Sequence, residues 1–488
     1  MDNLKSKGII AFIWDFFGKL ATQGTGFIVT MILARLLEPS DFGLVAMLMV
    51  VVGIAQVFTD VGLGGALIQS NKVLPVHYSS VFYFNIFIAC LLTLMTYFSA
   101  GFIAAFYNQP TLIPLIQCSS ALFIINALSS VQAIRLRKHL KYAFLTKAGF
   151  ISSLLSGIVG ITLALNDAGV WALLAQIISQ AIFYNIILWW YADWTPTINF
   201  SFDALKQLWG FGFRMFLSNL IQAIYFRIDF LIIGKIFSAT TLGYFQRAKQ
   251  FNSLVIHYSS GSLMSVMFPI LSKVQNDVPR FTNIVFKTLN ILCFVTFLLL
   301  GNLYLNAEEL IVFLFTDKWL PSVNYLEILL LSGFGYPLSS LLVNVLSSRG
   351  NSKAFLKLEI IKKSIFSLNL LNAVYYGIEN YLYGLIVVSF LAVFLNSLFA
   401  SKELDVGILK FIKPILTQML LTITAVIFTL QIVSLINVNM LLAFLIKSVV
   451  FCLFVFIMNY LFKTKSYYEI YDLIFSLIKN KRITPVSE

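Results

Sequence analysis

The sequence predicts an all-α polytopic membrane protein with about fourteen transmembrane helices. Three observations carry that prediction. Of 488 residues, 59% are apolar and 11% charged, against about 25% charged in an ordinary soluble domain, so too little charge is present to cover a water-facing surface. Apolar stretches long enough to span a bilayer, about 20 residues each, recur along the whole chain. Lysine and arginine gather on alternate loops, as they do in a chain with a fixed orientation in a membrane. A disordered chain is excluded by 47 Phe and 21 Tyr. The four cysteines lie far apart in apolar runs and the three histidines form no cluster, which predicts neither a disulfide framework nor a metal site, and no cofactor.

Taken in order, the predicted spans cover 10–34, 42–66, 80–106, 112–134, 146–166, 170–191 and 209–234, then 240–268, 284–305, 320–346, 364–378, 381–400, 412–435 and 441–462. Asp15 and Lys19 interrupt the first stretch, which therefore reads as a span rather than a cleavable signal. With the N-terminus in the cytoplasm, 25 of the 34 basic residues fall on cytoplasmic loops and tails, including Arg135, Arg137, Lys138 and Lys141. Only Arg35, Lys235 and Lys318 fall outside. Both termini are expected in the cytoplasm, and the net charge of +13 is this asymmetry, which faces anionic lipid headgroups rather than nucleic acid. After the last span, Tyr467, Ile470, Ile474 and Leu477 repeat at helical spacing with Glu469 and Asp472 opposite them, predicting an amphipathic helix on the cytoplasmic surface.

A repeat underlies the order of spans. Arg35, Glu38, Phe42 and Gly43 align without a gap with Lys235, Ser238, Leu242 and Gly243, an offset of 200 residues. Six spans separate the copies, so both halves enter the membrane in one direction, a parallel repeat about an axis along the membrane normal. The predicted organisation is a six-helix lobe over 1–200, a second over 201–400, an added helix pair over 401–463 and a cytoplasmic tail over 464–488. Such lobes typically hold a substrate between them and rock around it.

Ionisable residues within spans are costly, about 2.5–3.5 kcal/mol even on lenient scales, and point to a cavity or a partner. In the first span Asp15 and Lys19 share a face, where they either pair with each other or line a path. In the seventh, Arg214, Ser218, Gln222, Tyr225 and Asp229 fall within about 80° of one another and form a polar stripe. Arg227 points away from that stripe, with snorkelling towards the outer headgroups as one reading and a cavity position as the other. In the eighth, Gln246, Gln250 and Ser253 make one face, flanked by Lys249, with Arg247 to the side. In the second, Gln56 and Asp60 with Gly53 and Gly64 form a small-and-polar face of the kind used in helix packing. The substrate-binding candidates are therefore Lys19, Arg214, Gln222, Arg227, Asp229, Gln246, Arg247, Lys249, Gln250 and Ser253, a set with a cationic excess that suits phosphate or pyrophosphate. Asp15 and Asp229 are the candidate proton or Na⁺ carriers. No nucleophile–base motif or phosphate-binding loop is present, so transport rather than catalysis is expected.

Leu33-Ala34-Arg35-Leu36-Leu37-Glu38-Pro39, Asp41-Phe42-Gly43 and Asp60-Val61-Gly62-Leu63 resemble the N-terminal signature of bacterial polysaccharide transporters, the Wzx-type O-antigen and colanic-acid exporters. Gly169-Val170-Trp171-Ala172-Leu173 is similar to that family's sixth span, and Asp229, Leu242-Gly243-Tyr244 and Arg247-Ala248 to its central segment. The resemblance implies the multidrug/oligosaccharidyl-lipid/polysaccharide (MOP) exporter fold. It also implies flipping of an undecaprenyl-pyrophosphate-linked oligosaccharide across the bacterial inner membrane, with polysaccharide polymerase or assembly proteins as partners. Asp229 and Arg247 match the family pattern, whereas Lys249 sits where the family varies. The alternative is a small-molecule/ion antiporter of the related multidrug branch, which favours acidic cavities.

Overall fold

Each predicted span lies mostly on helix where it is described, with breaks at Val61–Gly62, Phe334 and Gly377 among others, and the described residues contain no strand. The physical reason is that hydrocarbon offers no partner to a backbone amide, so an isolated apolar run closes its hydrogen bonds within itself. The computed structural model describes residues 2–256, 262–436 and 438–472. Asp15 and Lys19 lie on helix, but their side chains fall outside what is described, as do His257, Gly261 and the tail beyond Asp472. The chain divides into two compact units, Met1–Gln246 and Arg247–Glu488.

The first unit runs α1 (Asp2–Leu36), α2 (Pro39–Asp60), α3 (Leu63–Gln69), α4 (Pro75–Tyr107), α5 (Leu112–Ser119), α6 (Ala121–Lys138), α7 (Tyr142–Leu165), α8 (Val170–Trp190) and α9 (Phe202–Ile236), and takes in the opening turns of α10 (Ala239–Ile256). Proline at the first turn starts α2 and α4, where its missing N–H would have no helical partner anyway. Ser201 caps α9 by accepting from the backbone N–H of Ala204 at 3.3 Å. The predicted span 42–66 is broken by left-handed residues, Val61 at φ +44° and Gly62 at φ +72°, which turn α2 into the short α3. Helix α7 packs on α1 and α8 with a stripe of small buried residues, Ser152, Ser153, Ser156, Gly157 and Gly160. A side chain at Gly157 would overlap Val29 of α1. Helix α9, which the repeat alignment places in the second lobe, packs here against α2, α3 and α4.

One contact in this unit is reciprocal. A Cβ on Gly43 of α2 would overlap the backbone carbonyl of Ala239, and a Cβ on Gly243 would overlap the backbone carbonyl of Pro39. The two segments that align at an offset of 200 thus touch each other through matching positions, backbone on backbone.

The second unit continues α10 and adds α11 (Ser262–Lys273), α12 (Val278–Leu305), α13 (Ala307–Phe315), a 3₁₀ turn at Asp317–Trp319, α14 (Ser322–Gly333), α15 (Gly335–Ser348), α16 (Ser352–Tyr376), α17 (Ile378–Leu404), α18 (Leu409–Val433) and α19 (Met440–Leu461). The stretch 306–319, which falls between the predicted spans 284–305 and 320–346, is largely helical, with Phe315 and Trp319 buried. Phe294, Ala425, Phe451 and Val455 form a core among α12, α18 and α19, against which Ile470 of the tail packs. Glu469 leaves the solvated face expected of it and accepts a hydrogen bond from Asn290 Nδ2 of α12 at 3.1 Å. Glu309 and Lys447 form an ion pair that fastens α13 to α19. Eleven helical stretches among the described residues are long and apolar enough to cross a membrane. The chain is a multi-pass membrane protein. The other three predicted spans fall on α1, on α10 with α11, and on α16, whose first half carries Lys353, Lys357, Lys362 and Lys363.

Candidate functional site

A cavity of about 840 Å³ opens inside the first unit, enclosed by five helices. Helical spacing explains the lining. From α2 come Met49, Val52, Gly53, Gln56, Val57 and Asp60, and from α9 come Asn219, Gln222, Ala223, Phe226 and Arg227, each set stepping by three and four residues along one face. Asn126 of α6, Ser152 of α7 and Gln180 and Tyr184 of α8 complete the polar wall. Asn126 Nδ2 donates to Gln56 Oε1 at 3.1 Å.

The electrostatics are sparse. Among the described residues Arg227 is the one cation lining the cavity and Asp60 the one acid. Asp60 accepts from the backbone N–H of Gly64 at 3.0 and 3.1 Å and from Asn85 Nδ2 at 3.5 Å, contacts that satisfy it while tying α2 to α3 and α4. Arg227 is half-buried, and among the described residues no carboxylate pairs with it. Its guanidinium lies directly over Gly53, where any Cβ would overlap it.

Of the predicted site residues, the structure brings Gln222 and Arg227 together on this cavity. Arg214 is exposed, and Asp229 is buried with 3% of its surface exposed, its Oδ1 accepting from the Phe230 N–H at 2.9 Å. Gln246 is half-buried at the end of the first unit. Arg247, Lys249, Gln250 and Ser253 belong to the second. Arg247 is 2% exposed. Its guanidinium carbon sits 5.4 Å from the ring centres of both Phe315 and Trp319, and a terminal nitrogen donates to Gln250 Oε1 at 2.7 Å. Gln56 and Asp60, read from sequence as a packing face, line the cavity, together with Asn126, Gln180 and Asn219, which the sequence reading passed over. Neutral amides inside apolar helices were the available signal. They cost less than charges to bury and stand out less.

Comparison with known proteins follows the same lines. The family model described as Polysaccharide biosynthesis protein matches residues 32–324. The teichuronic acid biosynthesis protein TuaB of Bacillus subtilis (strain 168) is 30% identical over 289 residues, a stretch that spans 57% of this chain and 58% of that protein. The lipopolysaccharide biosynthesis protein WzxC of Escherichia coli (strain K12) is 22% identical over 353 residues, 70% of each chain. Among solved structures, the lipid II flippase MurJ in an inward closed conformation superposes with a TM-score of 0.71 at 18% identity, covering 93% of this chain and 100% of that one. At that identity the likeness is one of fold.

Proposed function

The chain belongs to the polysaccharide biosynthesis protein family, and from that premise we propose that it is a flippase moving an undecaprenyl-pyrophosphate-linked oligosaccharide across the bacterial inner membrane by alternating access. The observation that carries the reading is a cavity of about 840 Å³ inside a unit built of membrane helices, its wall largely apolar but set with several carboxamides. A space of that size and lining has no packing role, and its amides, with Arg227 the one cation among the described residues, suit a hydrated sugar headgroup while a polyprenyl tail remains in lipid. The MurJ-like fold supports it. So does the loop charge, whose bias is that of a chain with both termini in the cytoplasm. In this reading the cations Lys19, Arg214, Arg247 and Lys249 serve the pyrophosphate, and Asp15 and Asp229 carry a coupling ion.

The test is a leaflet-accessibility assay for the lipid-linked oligosaccharide in cells lacking the gene and in cells regaining it. Outer-leaflet delivery should depend on the protein, and Arg247→Ala should abolish it while the protein still inserts. Equal delivery without the protein sinks the transport reading, and full delivery by Arg247→Ala removes that arginine from it.

A further inference from the structure

Arg227 is a cation within a membrane helix, half-buried, facing a cavity, with no carboxylate pairing it among the described residues. Ionised groups in that setting are held by a partner or await one. Its position is enforced by Gly53. A methyl there would overlap the guanidinium, and the group that would have to yield is the far end of a flexible side chain rather than backbone, so Gly53→Ala moves Arg227 and spares the helix. The rest of the wall supplies carboxamides, Gln56, Asn126, Gln180, Asn219 and Gln222, each offering donors and an acceptor, as adjacent sugar hydroxyls require. Among the described residues the charges lining the cavity are one positive and one negative, with Asp60 already hydrogen-bonded by Gly64 and Asn85. Pyrophosphate, with several negative charges, meets one cation there and an acid besides. A carboxylate with a single charge is matched by one guanidinium, which offers it two parallel donors.

We infer that Gly53 and Arg227 form an anion seat within a saccharide subsite, matched to a single carboxylate carried on a sugar rather than to pyrophosphate. Arg227 contacts the carboxylate, and Gly53 is a positioning residue acting through it. This deepens the transport reading of the same cavity and rests on it.

The experiment uses the full chain in lipid nanodiscs and calorimetric titration with three probes. They are an aldobiuronic acid (glucuronate linked to a neutral hexose), its carboxyl-reduced counterpart and inorganic pyrophosphate. The acid should bind about tenfold more tightly than the reduced disaccharide, the ratio one charge-assisted hydrogen-bonded contact supplies. Arg227→Gln and Gly53→Ala should each bring that ratio close to unity, and the neutral-disaccharide binding that each retains shows that both variants fold. Gly101→Ala, at a helical glycine with nothing within 4 Å of its Cβ position, should leave the ratio as it was. A ratio that survives both variants overturns the seat, as does pyrophosphate displacing the acid, or a wild-type protein that binds neither disaccharide. Normal outer-leaflet delivery alongside a wild-type ratio near unity sinks the seat and leaves the transport reading standing. Failed delivery alongside a tenfold ratio does the reverse.

Discussion

Arg227 and Arg247 are both guanidinium groups on spans predicted from the sequence, yet the two units treat them in opposite ways. In the first unit Arg227 lies over a glycine at the wall of a cavity set with carboxamides, with no carboxylate pairing it among the described residues. In the second, Arg247 is sealed, its guanidinium against the faces of Phe315 and Trp319 and a terminal nitrogen bonded to Gln250. An aromatic face attracts a cation through its quadrupole, and in a desolvated setting that is worth about 2 kcal/mol or more. In the conformation described, the sealed cation is held by its neighbours and the open one is available to a ligand, so Arg247 can meet pyrophosphate only in a state of the transport cycle that unseals it. The charge alone does not say which, and the neighbours do.

The largest expected effect tests the seal. Trp319→Ala should lower unfolding stability by about 3–5 kcal/mol, because it removes a fully buried ring and bares one side of Arg247. Phe226→Ala, at a cavity-wall ring that is 53% exposed, should stay within about 0.5 kcal/mol, as changes away from packed cores do. Thermal unfolding in one detergent checks both, and equal losses would erase the contrast. Next comes Gly43→Ala, which sets a methyl against a backbone carbonyl that cannot swing aside as Arg227 can. It should cost about 1–3 kcal/mol in the same assay, while Gly53→Ala costs nothing measurable. Third, Arg247→Lys replaces a planar group with a point charge that cannot lie flat on two rings, so about 1–2 kcal/mol should be lost. Arg227→Lys should leave stability unchanged and alter only ligand preference.

The smallest effect lies at the edge of the sealed unit. Burial raises the Glu469 carboxyl above its ordinary value of 4.5, outweighing the lowering by Asn290, Lys287 and Lys465, with Asp472 adding to the rise. The docked tail therefore holds a proton that the undocked tail has released, and docking weakens as pH climbs from 4.5 through the raised value. A spin label at Tyr468 should report increasing mobility over that window. Glu469→Gln should abolish the pH dependence, because the amide oxygen still accepts from Asn290.

Helix content was legible because apolar runs of spanning length admit little else. Breaks within runs were not. Val61 and Gly62 turn the chain where Asp60, Gly62, Gly64 and Gly65 gather, a cluster that reads as readily as a small-and-polar packing face as it does as a turn. The cavity was half-legible. Gln222 and Arg227 stood among the candidates, but the stripe led by Arg214 and Asp229 marks a different face of α9 from the one lining the space. Five helices each contribute a few neutral groups to that wall, and no single segment shows the pattern. The burial of Arg247 was hidden for a related reason, since Phe315 and Trp319 lie far downstream in what reads as a loop.

The reciprocal contact of Gly43 with Ala239 and of Gly243 with Pro39 has a consequence for how such a chain can change over time. Two segments that match in sequence and also touch are not free to drift apart independently. Bulk gained in one has to be answered in the other, because the space each vacates is occupied by its counterpart's main chain. Positions 200 residues apart are thereby held to a common history, as though they were inherited as one.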